Sequence, residues 1–229
     1  MSIQDDFKLD TEIIPGILEK DWEKIEKKIE QVKPFAKILH IDLIDGKFVN
    51  NTTWMDPEPF KKYAKDLPTG KAGYILEVHM MVENPMKYIK PFAEAGFTRF
   101  IGHVEKMKDQ VGFVAEAQLY GDVLLALDGP TPVDAITASY EDLDGVLVYT
   151  SERVGFSGPP FNPSRLEKVK QIREAAPFLP IEIDGGVTDE TIKQAKDAGV
   201  NRFVSTSFLF GKDPKKQFEK LQKALLKTY

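Results

Sequence analysis

Short apolar runs alternate with amphipathic stretches along this chain. Residues 13–18, 37–41, 74–78, 99–104, 122–127, 145–149, 180–183 and 202–205 read as strands. Several of them, such as VLLAL and GVLVY, are apolar at successive positions rather than alternate ones. Burial on both faces produces that pattern, as in a parallel sheet covered by helices. Helical segments lie between the strands. In WEKIEKKIEQV, Trp22, Ile25, Ile29 and Val32 recur every three or four residues and share one face, with Asp21 as the expected cap. Further helices are expected over 57–67, from Asn84-Pro85 to 95, over 109–119, briefly from Thr131-Pro132 to 138, from Asn162-Pro163 onward, over 189–198 and over 213–227. The similar stretches AEAGF (93–97) and KDAGV (196–200) put glycine where a helix stops before a strand.

Eight strand–helix units within 229 residues leave no room for a linker. The expectation is a single domain, 1–229, folded as a closed (β/α)8 TIM barrel. An open doubly wound sheet is the structural rival, since strand count alone does not decide closure.

Composition narrows the function. Hydrophobic residues make up 42% of the chain and charged residues 29%, enough for a core beneath an ordinary polar surface. Cysteine is absent, which excludes disulfides, thiol catalysis and cysteine-ligated metal. The net charge of −5, from 31 basic and 36 acidic residues, argues against a bulk nucleic-acid partner. No apolar run approaches a membrane span, and MSIQDDFKLD lacks both the basic start and the apolar core of a secretory signal. A cytoplasmic protein with no membrane partner is therefore expected.

Polar residues at the C-terminal ends of barrel strands face the usual active-site mouth. His40 and Asp42, two apart on one strand, His79 after the next apolar run and Asp184 before Gly185-Gly186 fit that placement. Two imidazoles and two carboxylates are a reasonable donor set for one divalent ion such as zinc, iron or manganese. His103, the remaining one of three histidines, reads as a packing or hydrogen-bonding residue. A second constellation follows the last three strands: Gly155, Ser157 and Gly158, then Gly185 and Gly186, then Thr206 and Ser207. Late-strand loops of this kind often offer backbone N–H groups to a phosphate.

HIDLIDGKFVNN (40–51), EVHMMVENP (77–85) and IEIDGGVT (181–188), with weaker echoes in GFSG (155–158) and FVSTSFLFG (203–211), make the chain resemble the ribulose-phosphate 3-epimerase family over residues 14–211. The resemblance implies a barrel of the ribulose-phosphate-binding type, one divalent metal ion held by His40, Asp42, His79 and Asp184, and Asp42 and Asp184 as the acid–base pair. It also implies a homo-oligomer, most simply a dimer. Epimerisation next to a ketone requires a proton taken from one face and another delivered to the opposite face. Two carboxylates achieve this through a cis-enediolate without a redox cofactor.

The chain departs from the family pattern. Gly16 stands where the family usually has serine, and Ile44 and Thr150 stand where methionine is common, while Met81 matches. In the phosphate loops Ser157 and Thr206 replace glycines. These changes bear on the substrate more than on fold or metal. The implied reaction interconverts D-ribulose 5-phosphate and D-xylulose 5-phosphate, with a six-carbon ketose phosphate such as allulose 6-phosphate as the close alternative. A barrel that binds a sugar phosphate without turnover competes with that reading, and the retained carboxylates argue against it. Aldolase or decarboxylase chemistry lacks a lysine in the strand-end cluster.

Overall fold

The apolar runs become one closed sheet of eight parallel strands in chain order, β1 to β8, with β1 returning to pair β8. The computed structural model describes residues 9–64 and 73–226. The strands are β1 (Glu12–Ile17), β2 (Ile38–Ile44), β3 (Ile75–Met81), β4 (Phe97–His103), β5 (Asp122–Leu127), β6 (Gly145–Tyr149), β7 (Ile181–Asp184) and β8 (Arg202–Ser205). Closure rules out the open sheet and settles the (β/α)8 architecture.

Two strands run further than the sequence suggests. β2 continues through Asp42 to Ile44, and β3 continues past His79 to Met81. Leu43, Ile44, Met80 and Met81 are fully buried or nearly so, and their burial extends the pairing. His40, Asp42 and His79 consequently sit within strands, inside the barrel, rather than at a strand end.

The helices are α1 (Trp22–Val32), α2 (Met86–Glu94), α3 (Gln110–Gln118), α4 (Leu166–Ala175), α5 (Thr191–Asp197), α6 (Ser207–Phe210) and α7 (Pro214–Leu226). In α1 the expected stripe holds: Ile25, Ile29 and Val32 are buried against the barrel wall. Burial of each such side chain contributes about 1.5–3 kcal/mol. Trp22 lies edge-on to Phe60, ring centroids 4.9 Å apart.

Several expected helices differ. The β2–β3 connection has a 3-10 turn at Glu58–Lys62, and residues 65–67 of the expected helix lie outside the described residues, as does 227 of the last one. The β5–β6 connection likewise has only 3-10 turns, at Val133–Ala135 and Tyr140–Asp142. Asp21 occupies the N-cap of α1 without a side-chain cap bond and instead pairs with Lys24 at 3.2 Å. Pro85, not Asn84, takes the N-cap of α2. Gly96 and Gly199, after α2 and α5, have φ of 91° and 107°, the left-handed stop the repeated AGF and AGV endings suggest.

Candidate active site and metal centre

Side chains alternate across a strand, so residues two apart share its inner face. Three strands use that rule in the same way: His40 and Asp42 on β2, Glu77 and His79 on β3, Glu182 and Asp184 on β7. Register then aligns them, with His40 opposite Glu77 and Asp42 opposite His79. The upper member of each pair, with His40, forms one cluster. His40, Asp42, His79 and Asp184 are all buried, and one donor atom from each lies within 4.8 Å of every other. His79 Nδ1 is 3.2 Å from His40 Nε2, 3.1 Å from Asp42 Oδ1 and 3.6 Å from Asp184 Oδ2. Hard and borderline donors converging so closely fit a divalent cation, and this cluster could coordinate one.

The two carboxyls are driven apart. Burial would raise the Asp42 pKa, but hydrogen bonds from His40 and His79 outweigh it and bring it down to about 2. Burial and the Asp42 charge push Asp184 up to about 8. Burial holds His79 down to about 4. Burial also opposes charge on His40, yet Asp42, Glu182 and Glu77 together raise it well above the ordinary imidazole value. The ion-free cluster thus keeps a proton on His40 and another on Asp184. Those are the protons a divalent ion would displace.

Beneath the cluster lies a layer that the sequence reading does not reach. Glu77 Oε1 accepts from His40 Nδ1 at 2.6 Å, and its other oxygen accepts from Arg99 at 2.9 Å. Arg99 also pairs with Glu12 at 3.3 Å and Asp122 at 3.4 Å. Glu182 Oε1 stands 3.5 Å from His40 Nδ1, and neither of its oxygens has a hydrogen-bond partner among the described residues. Burial and the Glu77 charge push Glu182 up to about 7. The charged-x-charged spacing on β3 and β7, identical to that of His40 and Asp42, is the signal in the sequence that points to them. His103 does hydrogen-bond, as the sequence suggests: its Nε2 is 2.8 Å from His79 Nε2 and its Nδ1 is 3.0 Å from Glu105.

Above the cluster, a cavity brings Asp42, Met81 and Asp184 together with Gly155, Ser157, Gly158, Gly185, Gly186, Thr206 and Ser207. Every candidate phosphate residue therefore faces one space. Gly185 and Gly186, at φ of 109° and 73°, pass so close to Ser151 and Phe161 that a side chain on either would collide with backbone. Three other expected pocket residues do not line the cavity. Ile44 is wholly buried in a cluster with Met81 and Tyr149. Thr150 points away from the barrel interior, its hydroxyl donating to Gly185 O at 2.7 Å and Asp184 O at 3.0 Å. Strand alternation makes Tyr149 the inward residue, and it is Tyr149 that reaches the cavity. Gly16 lies behind Thr206.

Comparison with known proteins agrees with this layout. The family model described as the ribulose-phosphate 3 epimerase family matches residues 12–210. The ribulose-phosphate 3-epimerase of Eremothecium gossypii is 35% identical over 206 residues, covering 86% of this chain and 85% of that protein. The Schizosaccharomyces pombe ribulose-phosphate 3-epimerase is 32% identical over 219 residues and covers 94% of each. In fold alone, 3-keto-L-gulonate-6-phosphate decarboxylase from Vibrio cholerae superposes with a TM-score of 0.70 at 13% identity, over 95% of this chain and 98% of that one. With its closed parallel barrel and buried carboxylates beneath a glycine-lined cavity, the chain belongs to the ribulose-phosphate 3-epimerase family and is a sugar-phosphate-isomerising enzyme.

Proposed function

We propose that the chain is a divalent-metal-dependent 3-epimerase interconverting D-ribulose 5-phosphate and D-xylulose 5-phosphate. The observation that carries this reading is the carboxyl pair, Asp42 and Asp184. The two arrive from β2 and β7, which β8 and β1 separate in the barrel, and both reach the one glycine-lined cavity. Carboxyls reaching one space from separate strands can take a proton from one face of a bound sugar and deliver one to the other. In one direction Asp42 takes the proton from C3 of the sugar and Asp184 delivers one to the opposite face. In the reverse direction the roles exchange. His40 and His79 are ligands in this reading, together with both aspartates. When bound, the cation would supply positive charge opposite the oxygens that become anionic as the C3 proton leaves. The N–H groups around Gly185-Gly186 and the 155–158 loop, with the hydroxyls of Thr206 and Ser207, would receive the phosphate.

The test follows D-ribulose 5-phosphate with metal-reconstituted protein in deuterated water by NMR. Deuterium entry at C3 together with appearance of D-xylulose 5-phosphate is the expected result. Exchange without the epimer means that one proton-transfer face works and the other does not, which defeats the paired-aspartate mechanism. Absence of both signals with this sugar, and their presence with allulose 6-phosphate, moves the assignment to the six-carbon substrate.

A further inference from the structure

We propose that His103 and Glu105 form a tautomer-setting relay behind His79, making both of them positioning residues for the metal centre. The inference rests on the metal-dependent reading above and concerns residues that reading does not use.

The argument is one of proton counting. A histidine can ligate through a nitrogen only if that nitrogen carries no hydrogen. His40 meets the requirement simply: its Nδ1 faces the Glu77 carboxylate at 2.6 Å and keeps its hydrogen there, so Nε2 is the nitrogen a cation would find once the other proton is displaced. His79 is oriented the other way. Its Nδ1 faces the cluster, and its Nε2 meets another imidazole rather than a carboxylate. The Nε2–Nε2 separation of 2.8 Å allows one hydrogen between the two rings. Ring centroids 5.0 Å apart and planes only 23° from parallel place the rings edge to edge, nitrogen to nitrogen.

Which ring supplies that hydrogen is decided one residue further out. The outer nitrogen of His103, Nδ1, is 3.0 Å from Glu105 Oε2. Glu105 acts as an acceptor on both of its oxygens, one facing His103 and the other a backbone N–H. That second bond, from the Asp128 N–H at 2.7 Å, fixes the carboxylate in place. An ionised carboxylate only accepts, so His103 must donate through Nδ1. With its one hydrogen on Nδ1, His103 has a lone pair on Nε2, and the 2.8 Å Nε2–Nε2 contact is then filled by a hydrogen on His79 Nε2. His79 Nδ1 is left bare, facing Asp42 and Asp184. Each hydrogen in the chain Glu105–His103–His79 has one donor and one acceptor. His103 is 1% exposed, and Phe48 packs over its ring with centroids 4.8 Å apart, so water does not compete for Nε2.

The experiment combines zinc affinity with the 15N signature of the imidazoles. Wild-type, His103→Leu and His103→Gln proteins are titrated with zinc against a chelator. The glutamine variant keeps an oxygen that accepts from His79 Nε2, whereas the leucine variant does not. The relay predicts that H103L weakens zinc binding about 10–100-fold and that H103Q recovers most of the loss. In zinc-loaded wild-type protein, long-range 1H–15N correlation should find the His103 hydrogen on Nδ1 and none on Nε2. A hydrogen on His103 Nε2 overturns the relay even if the variants do not fold. Equal affinity of H103L and wild type also overturns it while leaving the metal reading intact. Failure of wild-type protein to take up one zinc per chain overturns the metal reading itself, and the relay with it.

Discussion

Gly16 on β1 and Thr206 beyond β8 compete for one volume. A Cβ built on Gly16 would overlap Thr206 Oγ1 and lie 2.8 Å from Val204 Cγ1. The family's usual serine at the first position and glycine at the second are thus both altered, and the alterations fit each other. Gly16→Ser alone forces a side chain into packed space and should destabilise the protein by about 1–3 kcal/mol. Adding Thr206→Gly should recover part of that loss, the Val204 contact remaining, with a coupling of at least about 1 kcal/mol in a double-mutant cycle by urea unfolding. Additive effects would show that the two positions are independent.

Asp42 and Asp184 are expected to be separately indispensable. Asp42→Asn and Asp184→Asn keep side-chain size but cannot exchange the C3 proton. Each should lower kcat by at least about 10²–10⁴-fold while far-UV circular dichroism stays unchanged. Near-normal turnover in either variant would remove that residue from the acid–base role.

Stability should respond to pH differently in the metal-free and metal-loaded protein. In the ion-free state Asp184 and Glu182 titrate near 8 and 7, far above the ordinary carboxylate range. A group whose folded pKa is raised stabilises fully below its unfolded pKa, and that stabilisation is lost as pH rises through the folded value. His79, held to about 4, acts oppositely, but only up to the ordinary imidazole pKa near 6.5. Between about pH 6.5 and 8 the losses therefore stand alone, and Tm of chelator-treated protein should fall by a few degrees. Protein in excess divalent metal should not show the fall, because ligation and protonation compete. Parallel pH profiles would be inconsistent with protons held at the site.

Arg99 is the counter-charge for the lower layer. Its guanidinium bonds Glu77 at 2.9 Å, and both side chains are buried. Arg99→Met strands the Glu77 charge and should cost about 3–5 kcal/mol, read as a lower urea midpoint. A loss of stability well below about 1 kcal/mol would mean that Glu77 finds another partner.

Much of the site is legible because barrel strands place chemistry by simple alternation. His40, Asp42, His79 and Asp184 stand out as polar residues in apolar runs, and the structure gathers all four. Glu77 and Glu182 follow the same two-residue rule but escape notice, because a charge inside a barrel is intelligible only once Arg99 is seen beside it. Thr150 shows the opposite failure. A match of position suggests the pocket, yet a one-residue step along a strand reverses the face, so Tyr149 takes that place. Boundaries fail where packing outruns local pattern: β2 and β3 continue because Leu43, Ile44, Met80 and Met81 find a core, and the described part of the segment expected to be helical over 57–67 holds the turn at Glu58–Lys62.

The floor of the barrel has one more implication. Ile14, Ile38 and Val204 pack together inside the sheet, and the Arg99–Glu77 layer closes in above Asp122 and Glu12. Among the described residues, the cluster of His40, Asp42, His79 and Asp184 is thus a cul-de-sac, with Asp42 and Asp184 facing the glycine-lined mouth. Traffic through a cul-de-sac is ordered by its geometry. On the metal-dependent reading proposed above, a cation would have to enter before a sugar phosphate and leave after it, and a lodged sugar would act as a stopper over the ion beneath.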